Sequence, residues 1–471
     1  MATPPIDAAA APLDTTSSIG NTSKYFVTKR PRAYPPTFSN ARLPFHVPTS
    51  QTTLATSQLV QTSVLPPEFA ATYSFSHFNR LQSACFADLF SSDANLVIDA
   101  PTASGKTVLM EIAICRLFRD AAKRDSKKVL YLAPLKSLCA EKAADWASRY
   151  VHCGLRCAEV VGGDESGASV EIKSASQAVS QLHIVCTTPE KFVAVARGSP
   201  LANSAINLAT ICLVLIDECH MVGTSRGAFL ELAISLIRSC AGQARIIAAS
   251  ATVGNTADIA EWLASCKSGP AKTLVFGEEY RPVPLTKVVL GYDCTGPYYQ
   301  FQRNLDFKLP GIINTHGAGH SVLVFCPTRD CVPLGVAYHH AGLAANDRLR
   351  VEQLFINGAV QILCSTSTLG IGVNMPAYMV IVKGTKGYTN NNYEEYAKSE
   401  VLQFIGRAGR PQFGPSGKAV ILTEKTMVSS YQYLVSGNEI LESSLGPELV
   451  RWILGGVYRH EFMSTNDIVQ W

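Results

Sequence analysis

The chain has 471 residues, a formal net charge of +4 and 47% hydrophobic residues. That apolar content can build large cores over about three domains, and the mild basicity permits nucleic-acid binding without requiring it. No apolar run reaches the ~18 residues of a membrane-crossing helix, no charged start with an apolar core marks a secretory signal, and the 14 cysteines contain no CxxC pair, so they read as reduced thiols rather than a zinc site or disulfide frame.

Residues 1–65 are rich in Ala, Pro, Ser and Thr, show no periodicity, and are expected to be disordered. Within them Lys29-Arg30-Pro31-Arg32 is a candidate nuclear-import signal. Over 66–275 the predicted strands Asn95–Ile98, Lys128–Ala133, His183–Thr187, Cys212–Ile216 and Arg245–Ala249 alternate with helical segments. That is the order of a parallel α/β lobe with its chemistry at the strand C-termini. Over 276–440 a second set follows: Ser321–Cys326, Gly335–His340, Gln361–Ser365, Met379–Lys383 and Lys418–Thr423. Residues 441–471 read as helical and are too short for a domain. Two such lobes leave a cleft between them.

Two motifs carry the chemistry. Ala100-Pro101-Thr102-Ala103-Ser104-Gly105-Lys106-Thr107 follows the first strand and precedes a helix predicted over Val108–Leu117. A strand that turns tightly into a helix N-terminus aims backbone N–H groups at a phosphate, and the helix dipole adds to the attraction. Lys106 would reach the β/γ-phosphates and the Thr107 hydroxyl would ligate Mg²⁺. Asp217-Glu218-Cys219-His220 closes the fourth strand of the first lobe. Asp217 would hold Mg²⁺ through water, Glu218 would polarise the attacking water, and His220 would couple the site to its neighbours. The cofactors expected are therefore ATP and Mg²⁺.

From about Phe78 to Leu445 the chain resembles a superfamily 2 DExH-box helicase, which implies two RecA-like lobes in tandem. Phe78-Asn79-Arg80-Leu81-Gln82 resembles the adenine-reading Q motif, with Gln82 on the adenine edge. Ala133-Pro134-Leu135-Lys136 and Thr187-Thr188-Pro189-Glu190 resemble strand-tracking motifs that grip phosphates without reading bases. Ser250-Ala251-Thr252 resembles the motif that links hydrolysis to lobe movement. In lobe two, the segment ending at Arg329, Tyr338-His339-His340-Ala341-Gly342 and Ser365-Thr366-Ser367-Thr368 match further signatures, with Arg329, Thr366 and Thr368 as strand contacts. Gln403-Phe-Ile-Gly406-Arg407-Ala408-Gly409-Arg410 is the most specific. Its arginines, three apart, read as one helical face with Gln403 one turn away; delivered across the cleft they would neutralise charge on the γ-phosphate.

Within that superfamily the chain is most similar to the meiotic crossover-promoting DNA helicases, through Ile405–Phe413, Phe276–Val283 and Tyr338–Gly342. The resemblance implies 3′-to-5′ movement on single-stranded and branched duplex DNA, action on recombination intermediates in the nucleus, meiotic recombination proteins as partners, and no membrane. It also implies a duplex-splitting hairpin, for which Thr385–Tyr393 is the candidate. Three features depart from the family. Ala103 stands where glycine is usual, which is acceptable only at negative φ, and Gly254 stands where proline is usual. Only 330–334 separate Arg329 from Gly335, too few for the crossover between two strands expected to be parallel neighbours. An internal deletion near 330–334 and a truncated winged-helix region in 441–471 are therefore expected. A non-unwinding ATP-binding module and a spliceosomal-branch RNA helicase remain alternatives.

Overall fold

The computed structural model describes residues 59–160, 181–197, 208–224, 226–251, 253–264, 269–317, 319–328, 337–340, 342–366, 375–389, 392–409, 415–437, 440–446, 449–450 and 452–454. The first lobe is built on β1 (Leu96–Asp99), β2 (Lys128–Leu132), β3 (Cys157–Glu159), β4 (Ile184–Thr187), β5 (Ile211–Ile216), β6 (Arg245–Ser250) and β7 (Lys272–Val275). They pair in the order β3-β4-β2-β5-β6-β1-β7, parallel throughout. Its helices are α1 (Arg80–Ser91), α2 (Lys106–Phe118), α3 (Lys136–Tyr150), α4 (Pro189–Arg197), α5 (Gly227–Cys240) and α6 (Thr256–Trp262).

A parallel sheet must be covered on both faces, so its strands are apolar at every position rather than at every second one. β1 shows this: Leu96 and Ile98 enter one buried cluster while Val97 enters the opposite one. β5 divides the same way, Leu213 and Leu215 against Val214 and Ile216. Polar residues gather at the strand ends, where buried Asp99, Thr187 and Ser250 stand.

The second sheet contains β8 (Leu285–Tyr292), β9 (Val322–Phe325), β10 (Ala337–His339), β11 (Ile362–Ser365), β12 (Met379–Lys383) and β15 (Gly417–Glu424). Its order is β10-β11-β9-β12-β15-β8, again parallel. Helices α7 (Tyr298–Asp306), α8 (Leu309–His316), α9 (Ala345–Ile356), α10 (Lys398–Ile405) and α11 (Val428–Val435) accompany it. A separate hairpin, β13 (Lys386–Thr389) and β14 (Asn392–Glu395), sets Tyr388 opposite Tyr393. Its turn at 390–391 lies outside the described residues.

One expectation about lobe two is corrected. β10 lies in the sheet but is not the neighbour of β9: β11 lies between them, bonded to both. The order of strands along the chain does not fix their order in a sheet, and β11 supplies backbone partners to each side. Three strands at the margins, β3, β7 and β8, were not among the expected strands; their residues are half-buried or exposed. Beyond α11 the chain returns to the first lobe. There Leu441, Leu445 and Trp452 pack against one of its two cores.

Candidate nucleotide site

The phosphate loop joins β1 to α2, as the motif requires. It is held from behind by the N-terminus of α1. Asn79 caps that helix and forms a capping box with Gln82: Gln82 N–H donates to Asn79 Oδ1 and Asn79 N–H to Gln82 Oε1, both at 2.9 Å. The amide N–H groups left over turn to the loop. Asn79 Nδ2 donates to the Ser104 carbonyl at 2.9 Å and Gln82 Nε2 to the Gly105 carbonyl at 3.2 Å. Gln82, expected on an adenine edge, is buried and braces the loop in this structure. Asn79-x-x-Gln82 is a capping-box signature, and Asn79 was missed as a site residue because the segment reads as a nucleobase motif.

The loop demands left-handed backbone at two positions. Gly105 has φ 93° and Ala103 φ 61°. At Gly105 a Cβ would come 2.6 Å from Gln82 Nε2, so only glycine fits. Ala103 falls on the unfavourable branch of its expectation: its methyl carries the strain of a positive φ. Ser104 Oγ donates to the Pro101 carbonyl at 2.7 Å, and Lys106 Nζ folds back onto the carbonyls of Ala100 at 2.8 Å and Pro101 at 3.3 Å. Thr107 is half-buried in the first turn of α2, and Gly105, as N-cap, offers that helix no capping side chain.

β5 and β6 deliver the remaining groups. Asp217 is held at the end of β5 by its N–H bond to the Leu132 carbonyl, 2.8 Å, and its Oδ2 accepts from Tyr131 Oη at 2.8 Å. Burial, and next the Glu218 carboxylate, push the Asp217 acid above the ordinary carboxylate range, while the Tyr131 hydrogen bond holds it down. Glu218 takes a left-handed backbone, φ 53°, strained for a non-glycine residue and found at the site itself. His220 Nδ1 accepts from the Ala251 N–H at 3.3 Å. Burial, then Lys106, lower its pKa to about 4, so the ring is neutral with its proton on Nε2. It therefore forms no charged pair with Glu218 Oε2, although the two lie 3.4 Å apart. His220 thus ties the acidic motif to the Ser250-Ala251 motif; Thr252 lies outside the described residues.

Asp99 Oδ1, Glu218 Oε2 and Ser250 Oγ are buried without a hydrogen-bond partner. They stand at or just past the ends of β1, β5 and β6, three strands adjacent in the sheet. Burying such groups unpaired costs free energy, and three at one sheet edge mark a place where polar ligands belong. A triphosphate with its divalent cation fits this donor set. Thr107 and Asp217 would hold the Mg²⁺, Glu218 would face the water, and Lys106 with the α2 N-terminus would face the phosphates. Burial raises Asp99 to about 6 despite the Val253 N–H at 3.1 Å.

Across the cleft the arginine motif differs from expectation. α10 ends at Ile405 with Gly406 as its C-cap, so Arg407 lies past the helix rather than on a helical face with Gln403. Gly409, at φ 69°, and the parallel bridge of Ala408 to Ala377 turn the segment into extended chain. Gln403 is half-buried on α10, Arg407 is half-buried in the turn, and Arg410 lies outside the described residues. Gly406 packs directly on the phosphate loop: a Cβ there would be 2.8 Å from Thr102 Oγ1.

The candidate strand contacts lie further along the first sheet. Pro134 follows β2, and Thr188 and Pro189 follow its neighbour β4, so these motifs adjoin. Pro134, Thr188 and Pro189 are buried and Lys136 is exposed at the start of α3. Thr188 Oγ1 accepts from Lys191 N at 3.4 Å, capping α4. Thr366, half-buried, follows β11; Arg329 and Thr368 lie outside the described residues.

Comparison with known proteins agrees with this geometry. Residues 79–259 match the DEAD/DEAH box helicase model and 306–412 the helicase conserved C-terminal domain. The ATP-dependent DNA helicase MER3 of Saccharomyces cerevisiae is 36% identical over 88% of this chain and 37% of its own length. The probable ATP-dependent DNA helicase HFM1 of Homo sapiens is 35% identical over 86% of this chain and 32% of its own. The chain thus spans about a third of the length of these relatives. Among solved structures, the crystal structure of the DUF1998 helicase MrfA bound to DNA and AMPPNP superposes with a TM-score of 0.58 at 16% identity, covering 80% of this chain and 54% of that one. That likeness establishes two RecA-like lobes.

Proposed function

Because the chain belongs to the DEAD/DEAH-box helicases of superfamily 2, we propose that it is the motor of an ATP-dependent DNA helicase of the MER3 and HFM1 kind. The observation that carries the reading is the seating of Gly406, next to Arg407, on Thr102 of the phosphate loop. One lobe, about 66–275, supplies the phosphate loop and acidic pair; the other, about 276–440, supplies the arginines. Bound Mg·ATP supplies the phosphoryl group and its electrophilic phosphorus. Lys106 exchanges the Ala100 and Pro101 carbonyls for phosphate oxygens. Glu218, whose Oε2 lacks a partner, accepts a hydrogen bond from water. Arg407 and Arg410 offset the negative charge that accumulates as the bond to the γ-phosphate breaks.

His220 carries the state of the acidic pair to Ala251, next to the loop that moves with the lobes. The strand-end groups Lys136, Thr188 and Thr366 then hold one DNA strand by its phosphates, without base readout. In this reading the protein moves 3′ to 5′ on single-stranded and branched DNA, with the β13–β14 hairpin at the fork. It acts on recombination intermediates in meiotic nuclei alongside other recombination proteins. No helix among the described residues is long and apolar enough to cross a membrane.

The test is ATP turnover with and without single-stranded DNA, beside strand separation of a forked duplex. DNA should stimulate turnover, RNA should do so less, and Lys106→Ala should abolish both activities. Equal turnover by wild type and Lys106→Ala would remove the reading. Nucleotide binding without strand separation would reduce it to an ATP-binding module.

A further inference from the structure

The segment joining the two sheets, 276–284, does more than connect. Phe276 enters a core of the first lobe, and Tyr280 packs on it at 4.7 Å with Arg80 over the outer face of the Tyr280 ring at 5.6 Å. Arg281, next in the chain, is 5% exposed and points the other way. Its Nε donates to the Val283 carbonyl at 3.0 Å, its Nη2 to the Ala408 carbonyl at 2.6 Å, and its Nη1 to Thr102 Oγ1 at 3.4 Å. One planar guanidinium therefore touches the connector, the turn that carries Arg407, and the phosphate loop. The far side of that turn is fixed to the second sheet, where Ala377 N–H donates to the Arg407 carbonyl and Gly409 N–H to the Ala377 carbonyl, at 3.1 and 2.9 Å.

We propose that Arg281 is a positioning residue: it clamps the 406–409 turn against Thr102 and so sets the reach of Arg407 toward the triphosphate. The inference rests on the ATPase reading above. The two bonds on the lobe-two side are short and the Thr102 bond is long, so Arg281 stays with the arginine turn and Thr102 is the contact that yields when the phosphate loop rearranges. A lysine keeps the charge but has a single nitrogen, which cannot span three acceptors that Arg meets with separate N–H groups.

The test uses the full chain with Arg281→Lys, Thr102→Val, Arg407→Ala and the double variant Arg281→Lys/Arg407→Ala. Arg281→Lys should lower kcat for ATP at least ~10-fold while KM, and Kd for a fluorescent ADP analogue, stay within about twofold. Thr102→Val, which removes only the hydroxyl acceptor, should lower kcat severalfold. The double variant should be no slower than Arg407→Ala alone, because Arg281 acts through Arg407. Amide hydrogen exchange over 402–409 should quicken at least ~10-fold in Arg281→Lys, a readout independent of turnover. The proposal is overturned if kcat is unchanged, if the losses multiply, if nucleotide binding falls in step, or if exchange over the turn is unaltered. Should wild type itself not hydrolyse ATP, the ATPase reading fails, while exchange still decides whether Arg281 holds the turn.

Discussion

Tyr131→Phe tests how the acidic site is kept ready for a cation. Tyr131 lies on β2, beside β5, fully buried with its ring edge-on to Trp146 at 5.1 Å. Phenylalanine keeps that packing and deletes only the hydroxyl that donates to Asp217 Oδ2 at 2.8 Å. A hydrogen bond to a charged group contributes about 1.5–3 kcal/mol. Here it opposes burial and the Glu218 carboxylate, both of which favour the protonated acid. Losing it raises the Asp217 pKa further, so protons compete with a cation for the carboxylate at higher pH than in wild type. The acid limb of the pH profile should therefore move to higher pH, and the Mg²⁺ needed for half-maximal ATP turnover should rise more steeply in the variant as pH falls. The assay is a Mg²⁺ titration at pH 6, 7 and 8, with a thermal melt confirming an unchanged fold. A Mg²⁺ requirement within twofold of wild type, with the acid limb in place, would show that the Tyr131 bond does not stabilise the carboxylate.

Three further substitutions probe the loop and the strand that leads into it. Gly105→Ala places a methyl 2.6 Å from Gln82 Nε2 at a positive φ; affinity for a fluorescent ATP analogue should fall at least ~10-fold and stability by about 1–3 kcal/mol. Ala103→Gly relieves about 1–2 kcal/mol of left-handed strain against about 0.4–1 kcal/mol of added unfolded-chain freedom; urea unfolding should show a small net gain, and a loss would mean the methyl packs favourably. Asp99→Asn addresses a carboxyl raised from 3.8 to about 6. The folded state binds that proton more tightly than the unfolded state, so wild type gains stability as pH falls from about 6 to about 4 and carries a penalty of about 3 kcal/mol above that window. The variant should melt higher than wild type at pH 8 and by about half that margin at pH 5; a margin independent of pH would refute the linkage.

The phosphate loop and the Asp217 motif were legible because each is local: a strand, a tight turn and a helix start, or an acid at a strand end, are written in consecutive residues. Tyr131 was not, because its partner lies on another strand and β2–β5 adjacency appears in no stretch of sequence. Strand order misled for the same reason in lobe two, where β11 inserts between β9 and β10. The helical placement of Arg407 failed differently. Spacing of three suggests a helical face, but Gly406 and Gly409 carry the opposite message. A Cβ on Gly409 would come 3.1 Å from Gly417 Cα, so close approach to β15, not helical periodicity, decides that segment. The departure at Ala103 could be stated as a question of φ from the sequence, yet its answer needed the backbone.

The two places where the chain passes between the lobes set how closely they are tied. On one side Phe276 and Tyr280 belong to the first lobe, while Arg281 is bonded to Val283 and Ala408 and the Pro284 carbonyl accepts from the Gly417 N–H at 2.9 Å, so the chain passes to the second lobe between Tyr280 and Arg281. On the other side α11 is held to β8, with Lys287 Nζ donating to the Val435 carbonyl at 3.1 Å. From Leu441 the chain is bonded to the first lobe. Asn255 exchanges hydrogen bonds of 2.9 and 3.0 Å with the Leu441 backbone, Ser443 Oγ donates to Glu231 Oε2 at 2.6 Å, and Ser444 Oγ donates to the Val222 carbonyl at 2.9 Å. On this side, then, α11 belongs to the second lobe and the chain from Leu441 to the first. The chain therefore passes between the lobes twice, which ties them more closely than a single tether would. Val222 follows the acidic motif and Asn255 follows Ser250-Ala251. The second crossing is thus anchored on the same strand-end loops that His220 joins, so the acidic pair and the returning chain are linked through contacts already made.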